Sequence, residues 1–161
     1  MGAVKPEDIK QASRVLQACY EKQIVGHEVQ EAIDNGCKVL AVKTGDKIIG
    51  VIIGERDMHE IYIRRIGVLP SHRGKGYGRG LINDLIRLDG IKILTMAVPR
   101  HDAGSVTFAH RCGFHYFGID MNNEGSEIWR LSARADKSTR NRLEQFFYDR
   151  PSRIGDFGRR C

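Results

Sequence analysis

At 161 residues, 41% of them apolar and 29% charged, the chain suits one compact domain with its own core and is too apolar for a largely disordered protein. A formal net charge of +6 favours anionic partners, although charge alone does not separate a phosphate-rich cofactor from nucleic acid. No apolar run approaches the ~20 residues that span a bilayer, no secretory apolar segment opens the chain, and Cys19, Cys37, Cys112 and Cys161 are too scattered for a structural zinc site; the expectation is a cytoplasmic protein with free thiols, no membrane and no metal.

The first predicted element is a helix opened by Pro6-Glu7-Asp8 and running to Tyr20, in which Ile9, Ala12, Val15, Leu16 and Cys19 recur at helical spacing. A shorter helix over His27 to Asp34 stops at Asn35-Gly36. Strands over Cys37 to Lys43 and Lys47 to Glu55 flank Thr44-Gly45-Asp46 as an antiparallel hairpin. A third strand, His59 to Leu69, places Ile61, Ile63, Ile66 and Val68 and is ended by Pro70, which cannot donate to a ladder. A glycine-rich loop follows. An amphipathic helix from Tyr77 through Leu88 then closes at Asp89-Gly90 and leads into a strand over Ile91 to Val98. Asp102 can cap a helix that reaches Cys112 and ends at Gly113, and strands over Phe114 to Ile119 and Glu127 to Leu131 complete a mixed α/β domain over residues 1–132. Residues 133–161 hold eight Lys or Arg against four Asp or Glu. This basic extension carries Leu143, Phe146, Phe147 and Tyr148, a pattern for a short docked helix.

The stretch from Ile66 to Leu81 sets a basic, glycine-dense turn between a buried strand and an amphipathic helix. Backbone N–H groups at a helix start are unsatisfied, the helix dipole adds partial positive charge, and glycines let an anion approach the backbone. Arg73, Lys75 and Arg79 add formal charge. A tight turn with solvated basic residues is the bland alternative, yet the strand before and the helix after favour phosphate binding. The spacing has neither the Lys-Ser/Thr ending of a P-loop nor the GxGxxG of a dinucleotide fold.

Arg73-x-x-Gly76-x-Gly78, with Val68 and Pro70 before it and Gly113-Phe114 later, resembles the signature of the GNAT superfamily of acyl-CoA-dependent N-acetyltransferases over about residues 7 to 131. The resemblance implies a mixed central sheet of about six to seven strands flanked by about four helices. It implies acetyl-CoA as cofactor, with the pantetheine arm along Ile66, Gly67 and Val68. The pyrophosphate would lie on amides of Arg73, Gly74, Lys75, Gly76, Tyr77 and Gly78, with Arg79 beside them and Asp102, Ser105 and Phe108 near the thioester. The implied chemistry is direct attack of a primary amine on the acetyl thioester in a ternary complex.

For the proton acceptor the resemblance points to Glu60, although counting back from Arg73 places the corresponding position at Tyr62, so that Glu60 needs a shift or bulge; His59, Glu55 and Asp57 are further bases. Ala109 stands where relatives carry the tyrosine that protonates the leaving thiolate, which leaves Tyr116, His110, Cys112 or water for that role. Asp102 replaces a common asparagine. The alternative to an active enzyme is a catalytically weak CoA- or nucleic-acid-binding protein that uses its Arg-rich tail, with packed tail aromatics favoured over base stacking. Self-association through the tail would make a homodimer.

Overall fold

The structure is a computed structural model and describes residues 1–20 and 26–136. The elements run β1 (Gly2–Ala3), α1 (Ile9–Cys19), α2 (Glu28–Asp34), β2 (Lys38–Thr44), β3 (Lys47–Asp57), β4 (Glu60–Val68), α3 (Tyr77–Ile86), β5 (Ile93–Pro99), α4 (Ala103–Arg111), β6 (His115–Met121) and β7 (Glu127–Arg134). They build a seven-stranded sheet in the order β1-β2-β3-β4-β5-β7-β6. Every neighbouring pair is antiparallel except β4 and β5, whose parallel arrangement follows from the α3 crossover. The mixed α/β sheet with four flanking helices is the architecture expected.

Each face of the sheet has its own core. Ala12, Val15 and Leu16 of α1 and Val29 and Ala32 of α2 pack on Val39, Ala41, Ile48, Val51 and Ile53. On the other face Leu81, Ile82, Leu85 and Ile86 of α3 and Phe108, Ala109 and Cys112 around α4 pack on Ile52, Ile61, Ile63, Leu94, Met96, Val98 and Leu131. Alternation along each strand makes this division possible, because successive side chains point to opposite faces. Ile48 and Ile49, or Ile52 and Ile53, are therefore all fully buried yet belong to different cores.

Boundaries differ from expectation where backbone bonds compete with side-chain pattern. The helix expected to reach Leu88 ends at Ile86, and Leu88 N–H turns back to Leu85 O at 3.1 Å as the last turn tightens. The strand expected from Ile91 starts at Ile93, since Lys92 N–H and Ile93 N–H both reach His59 O before the ladder begins. Phe114 is fully buried but precedes β6, and β7 continues past Leu131 to Arg134. The two-residue β1 gave no periodic signal; it pairs Gly2 with Ala41 and Ala3 with Leu40. Leu143, Phe146, Phe147, Tyr148 and Cys161 lie outside the described residues.

Candidate active site

The site begins with a break in the ladder. Strand β4 pairs with β5 only through Glu60, Ile61, Tyr62 and Ile63, opposite Ile93, Leu94, Thr95 and Met96. Beyond that point β4 stays with β3, as Ile52↔Ile66, Val51↔Gly67 and Gly50↔Val68, while β5 stays with β7, as Ala97↔Arg130, Val98↔Trp129 and Pro99↔Ile128. The two strands part between Ile63 and Arg64, and a gap opens toward their C-terminal ends.

A bulge marks the parting. Ile53 faces Arg65 and Gly54 faces Ile63, so the backbone of Arg64 has no register partner on β3. A bulge adds twist and bends its strand, which turns β4 away from β5. The sequence carried a trace of it: the apolar spacing is two from Ile61 to Ile63, then three to Ile66, then two to Val68.

Within the gap the outward backbone groups of β4 belong to Ile66 and Val68, which alternate with residues bonded to β3. Tyr20, at the end of α1, supplies a hydroxyl that donates to Ile66 O at 2.7 Å and accepts from Ile66 N–H at 3.2 Å. Val68 O accepts from Arg73 Nε at 2.9 Å and from Cys19 Sγ at 3.4 Å. Arg65 holds Tyr20 from the other side, its guanidinium 5.3 Å above the ring, and its Nε lies 3.3 Å from Glu28 Oε1 as an ion pair. Gly67 lies on the α1 face with Cys19 and Leu16 packed onto its Cα, so its backbone serves the β3 ladder rather than the gap.

The glycine-rich turn sits across the mouth of the gap. Gly74 has φ +74 and Gly76 φ +86, left-handed values that side chains resist, and Gly76 is the N-cap of α3 with no side chain bonded to the helix start. The first N–H groups of α3 and the positive end of its dipole thus face outward at a place without a Cβ, a cradle suited to phosphate. The start of α4, just past the end of β5, brings a second positive dipole end to the same edge. There Asp102 Oδ1 accepts from Ser105 N–H at 3.0 Å and Ser105 Oγ donates to Asp102 Oδ2 at 2.5 Å, so these two expected cofactor residues are engaged in a helix cap.

Arg79, in the first turn of α3, is buried and close enough to Cys112 for its charge to act on that thiol; burial pushes Cys112 from 9.0 to about 12, and Arg79 pulls the other way. Cys112 is therefore a protonated core thiol at neutral pH. Phe108 belongs to the α3/α4 core. Tyr116 lies on the edge strand β6 against Trp129, in lateral register with Leu131, Met96 and Ile63. Three strand spacings of about 4.8 Å put it roughly 14 Å from β4.

Glu60 and Tyr62 share the α1 face of β4, as two-residue spacing requires, and Thr95 Oγ1 donates to Glu60 Oε1 at 2.8 Å. The bulge falls after Tyr62, not between the two, so it does not carry Glu60 forward. Glu60 stands beside the β3–β4 turn, about 10 Å before the parting at Ile63, whereas Tyr62 is adjacent to it. Glu55 is directly across from Tyr62 and reaches Arg64 at 3.9 Å. Neither Tyr20 nor Thr95 stood out in the sequence, because one only closes a helix after its last periodic residue, Cys19, and the other is an ordinary strand position.

The profile of the acetyltransferase (GNAT) family matches residues 7–114. The chain belongs to that family. Among GNAT relatives, the L-2,4-diaminobutyric acid acetyltransferase of Shouchella clausii is 29% identical over 104 residues, which cover 60% of this chain and 57% of that enzyme, so the match spans little more than half of the relative. Solved structures with the same fold include the ribosomal-protein-S18-alanine N-acetyltransferase from Escherichia coli, with a TM-score of 0.74 at 16% identity over 84% of this chain and 92% of that one. The aminoglycoside 6'-N-acetyltransferase from Enterococcus faecium gives 0.72 at 15% identity, covering 82% and 93%. The yncA protein of Salmonella typhimurium, solved with acetyl-CoA, gives 0.67 at 17%, covering 84% and 92%. Among the described residues of this GNAT chain no helix is long and apolar enough to cross a membrane.

Proposed function

We propose that the chain is an acetyl-CoA-dependent N-acetyltransferase that moves an acetyl group to a primary amine by direct attack in a ternary complex. The observation that carries this reading is the gap between β4 and β5, facing the glycine-capped start of α3. Acetyl-CoA, when bound, supplies an acetyl thioester open to attack by a neutral amine. Val68 N–H and the Tyr20 hydroxyl, which engages both backbone groups of Ile66, line the gap, where an amide-bearing arm would lie alongside β4 in the place of a neighbouring strand. Amides from Gly74 to Gly78 would hold the phosphate oxygens, and Arg73 and Lys75 would add charge there.

On the α1 face, Glu60 takes the proton of the incoming amine through water, its carboxylate held by Thr95. Tyr62 lies between Glu60 and the parting of the strands, where it can bound the acceptor. Glu55 offers a second carboxylate on the same face.

The test is thiol release from acetyl-CoA with polyamines, amino sugars, 2,4-diaminobutyrate and peptides bearing a free N-terminus or lysine. Diaminobutyrate enters the panel because of the Shouchella relative, and its two amines join features of the other classes. Turnover with one class is expected, with Glu60→Gln slower by about 10²-fold. No release with any amine, despite CoA binding, would overturn the reading in favour of a catalytically weak CoA-binding protein.

A further inference from the structure

We infer that the Tyr20 hydroxyl is the group that protonates the departing thiolate. The inference rests on the acetyl-transfer reading above and adds a residue to it.

Amine attack forms a C–N bond to the acetyl carbon while the C–S bond breaks and its electron pair leaves on sulfur. Sulfur then needs a proton, and the amine nitrogen must lose one. The donor has to lie in the gap, within the plane of the sheet, because the gap is where the arm bearing the sulfur fits.

Among the described residues, the hydroxyls near this region separate by position. Ala109, on α4, has no hydroxyl and is fully buried in the core. Thr107 donates to Ala103 O, and Ser105 is committed to Asp102. Tyr62 projects from the sheet face at a point where β4 and β5 are still paired. Tyr116 is on the far edge strand.

Tyr20 is different. Ile66 bonds away from β3, so its N–H and C=O point into the gap, and the Tyr20 hydroxyl bonded to both must lie there too. This hydroxyl already gives its proton to an acceptor at 2.7 Å, and a sulfur anion arriving beside Ile66 is a stronger claimant than an amide oxygen. The guanidinium of Arg65, 5.3 Å from the ring centroid, supplies positive charge next to the phenolate left behind. The proton balance closes through solvent: the proton lost by the acceptor amine, collected at Glu60, restores the phenol. No oxidant, reductant or further reactant is required.

The experiment compares the full-length wild type with Tyr20→Phe, which keeps the ring under Arg65 and removes only the oxygen. The binding arm measures CoA against desulfo-CoA. Wild type should prefer CoA by roughly 2- to 10-fold, the range of one net hydrogen bond, and Tyr20→Phe should lose the preference. The kinetic arm should show kcat lower by about 10²-fold or more with the acetyl-CoA KM little changed.

Because Tyr20→Phe also strips two bonds that fasten α1 to β4, a second variant carries 3-fluorotyrosine at position 20. Its more acidic phenol keeps those bonds and should move the alkaline limb of the kcat profile to lower pH, which a purely fastening role would not do. Equal CoA and desulfo-CoA affinities in wild type, or an alkaline limb unmoved by fluorination, overturn the inference while acetyl transfer stands. A wild type without turnover overturns both.

Discussion

Replacing Gly67 by alanine tests whether the end of α1 is fixed by contact with β4. A Cβ built at Gly67 falls 2.8 Å from Cys19 Sγ, 2.9 Å from Cys19 Cβ and 3.5 Å from Leu16 Cδ2. Favourable heavy-atom contacts begin near 3.5 Å, so the last turn of α1 must retreat by roughly 0.7 Å or β4 must yield. Neither moves freely: Leu16 is fully buried, and β4 is tied to β3 on its other side. Overpacking of this kind costs about 1–3 kcal/mol, which for a chain of this length lowers Tm by about 3–10 °C. The retreat also carries Tyr20 away from Ile66, so catalysis should fall along with stability. Thermal unfolding of Gly67→Ala, Cys19→Gly and the double variant supplies the decisive comparison. Removing the Cys19 side chain takes away both of the closest atoms, so the double variant should be more stable than the sum of the single losses by about 1 kcal/mol or more. Additive losses, or a Gly67→Ala protein that melts like wild type, would refute the packing argument.

Two further outcomes follow from the backbone and from burial. Gly76→Ala places a Cβ at φ +86, which costs about 1–2 kcal/mol in urea unfolding and narrows the phosphate cradle; CoA affinity measured by calorimetry should drop more than stability alone explains. Cys112 makes stability depend on alkaline pH. With its folded value raised from 9.0 to about 12, the folded state retains a proton that the unfolded chain gives up above pH 9, so this contribution is complete below pH 9 and is lost as pH climbs toward 12. Cys112→Ala should remove that part of the slope, so a wild type and variant with parallel stability curves between pH 8 and 10.5 would contradict the assignment.

Most of the framework was legible because burial imposes a period. The helical spacing of Leu81, Ile82, Leu85 and Ile86 and the paired isoleucines of β3 are both consequences of a core on each side of the sheet. The glycine-rich turn was legible for a different reason: left-handed backbone at a helix start demands glycine, and Gly74 and Gly76 meet that demand. The residues that finish the site were harder to read. Tyr20 acts through a hydroxyl delivered 46 positions along the chain to Ile66, and nothing in its neighbours announces that contact. The role of Thr95 depends on the parallel register of β4 with β5, which the crossover fixes and local pattern does not. Arg79 looked like loop charge because α3 begins inside the motif, yet the first turn of the helix already directs it inward. The distance of Tyr116 from the gap depends on strand order, since β7 lies between β5 and β6, and local pattern does not fix that order.

Arg64 has a meaning beyond its own charge. On either side of it, β4 already alternates correctly: Ile61 and Ile63 face α3 and α4, and the next residues in register, Arg65 and then Ile66, would continue the same two-sided order if Arg64 were absent. Neither core needs the extra residue. A chain one residue shorter would keep its buried side chains and its hairpin, and could go on pairing β4 to β5 as an unbroken sheet with no room for a guest. Whether β4 and β5 run together or part turns here on a single count in the length of one strand.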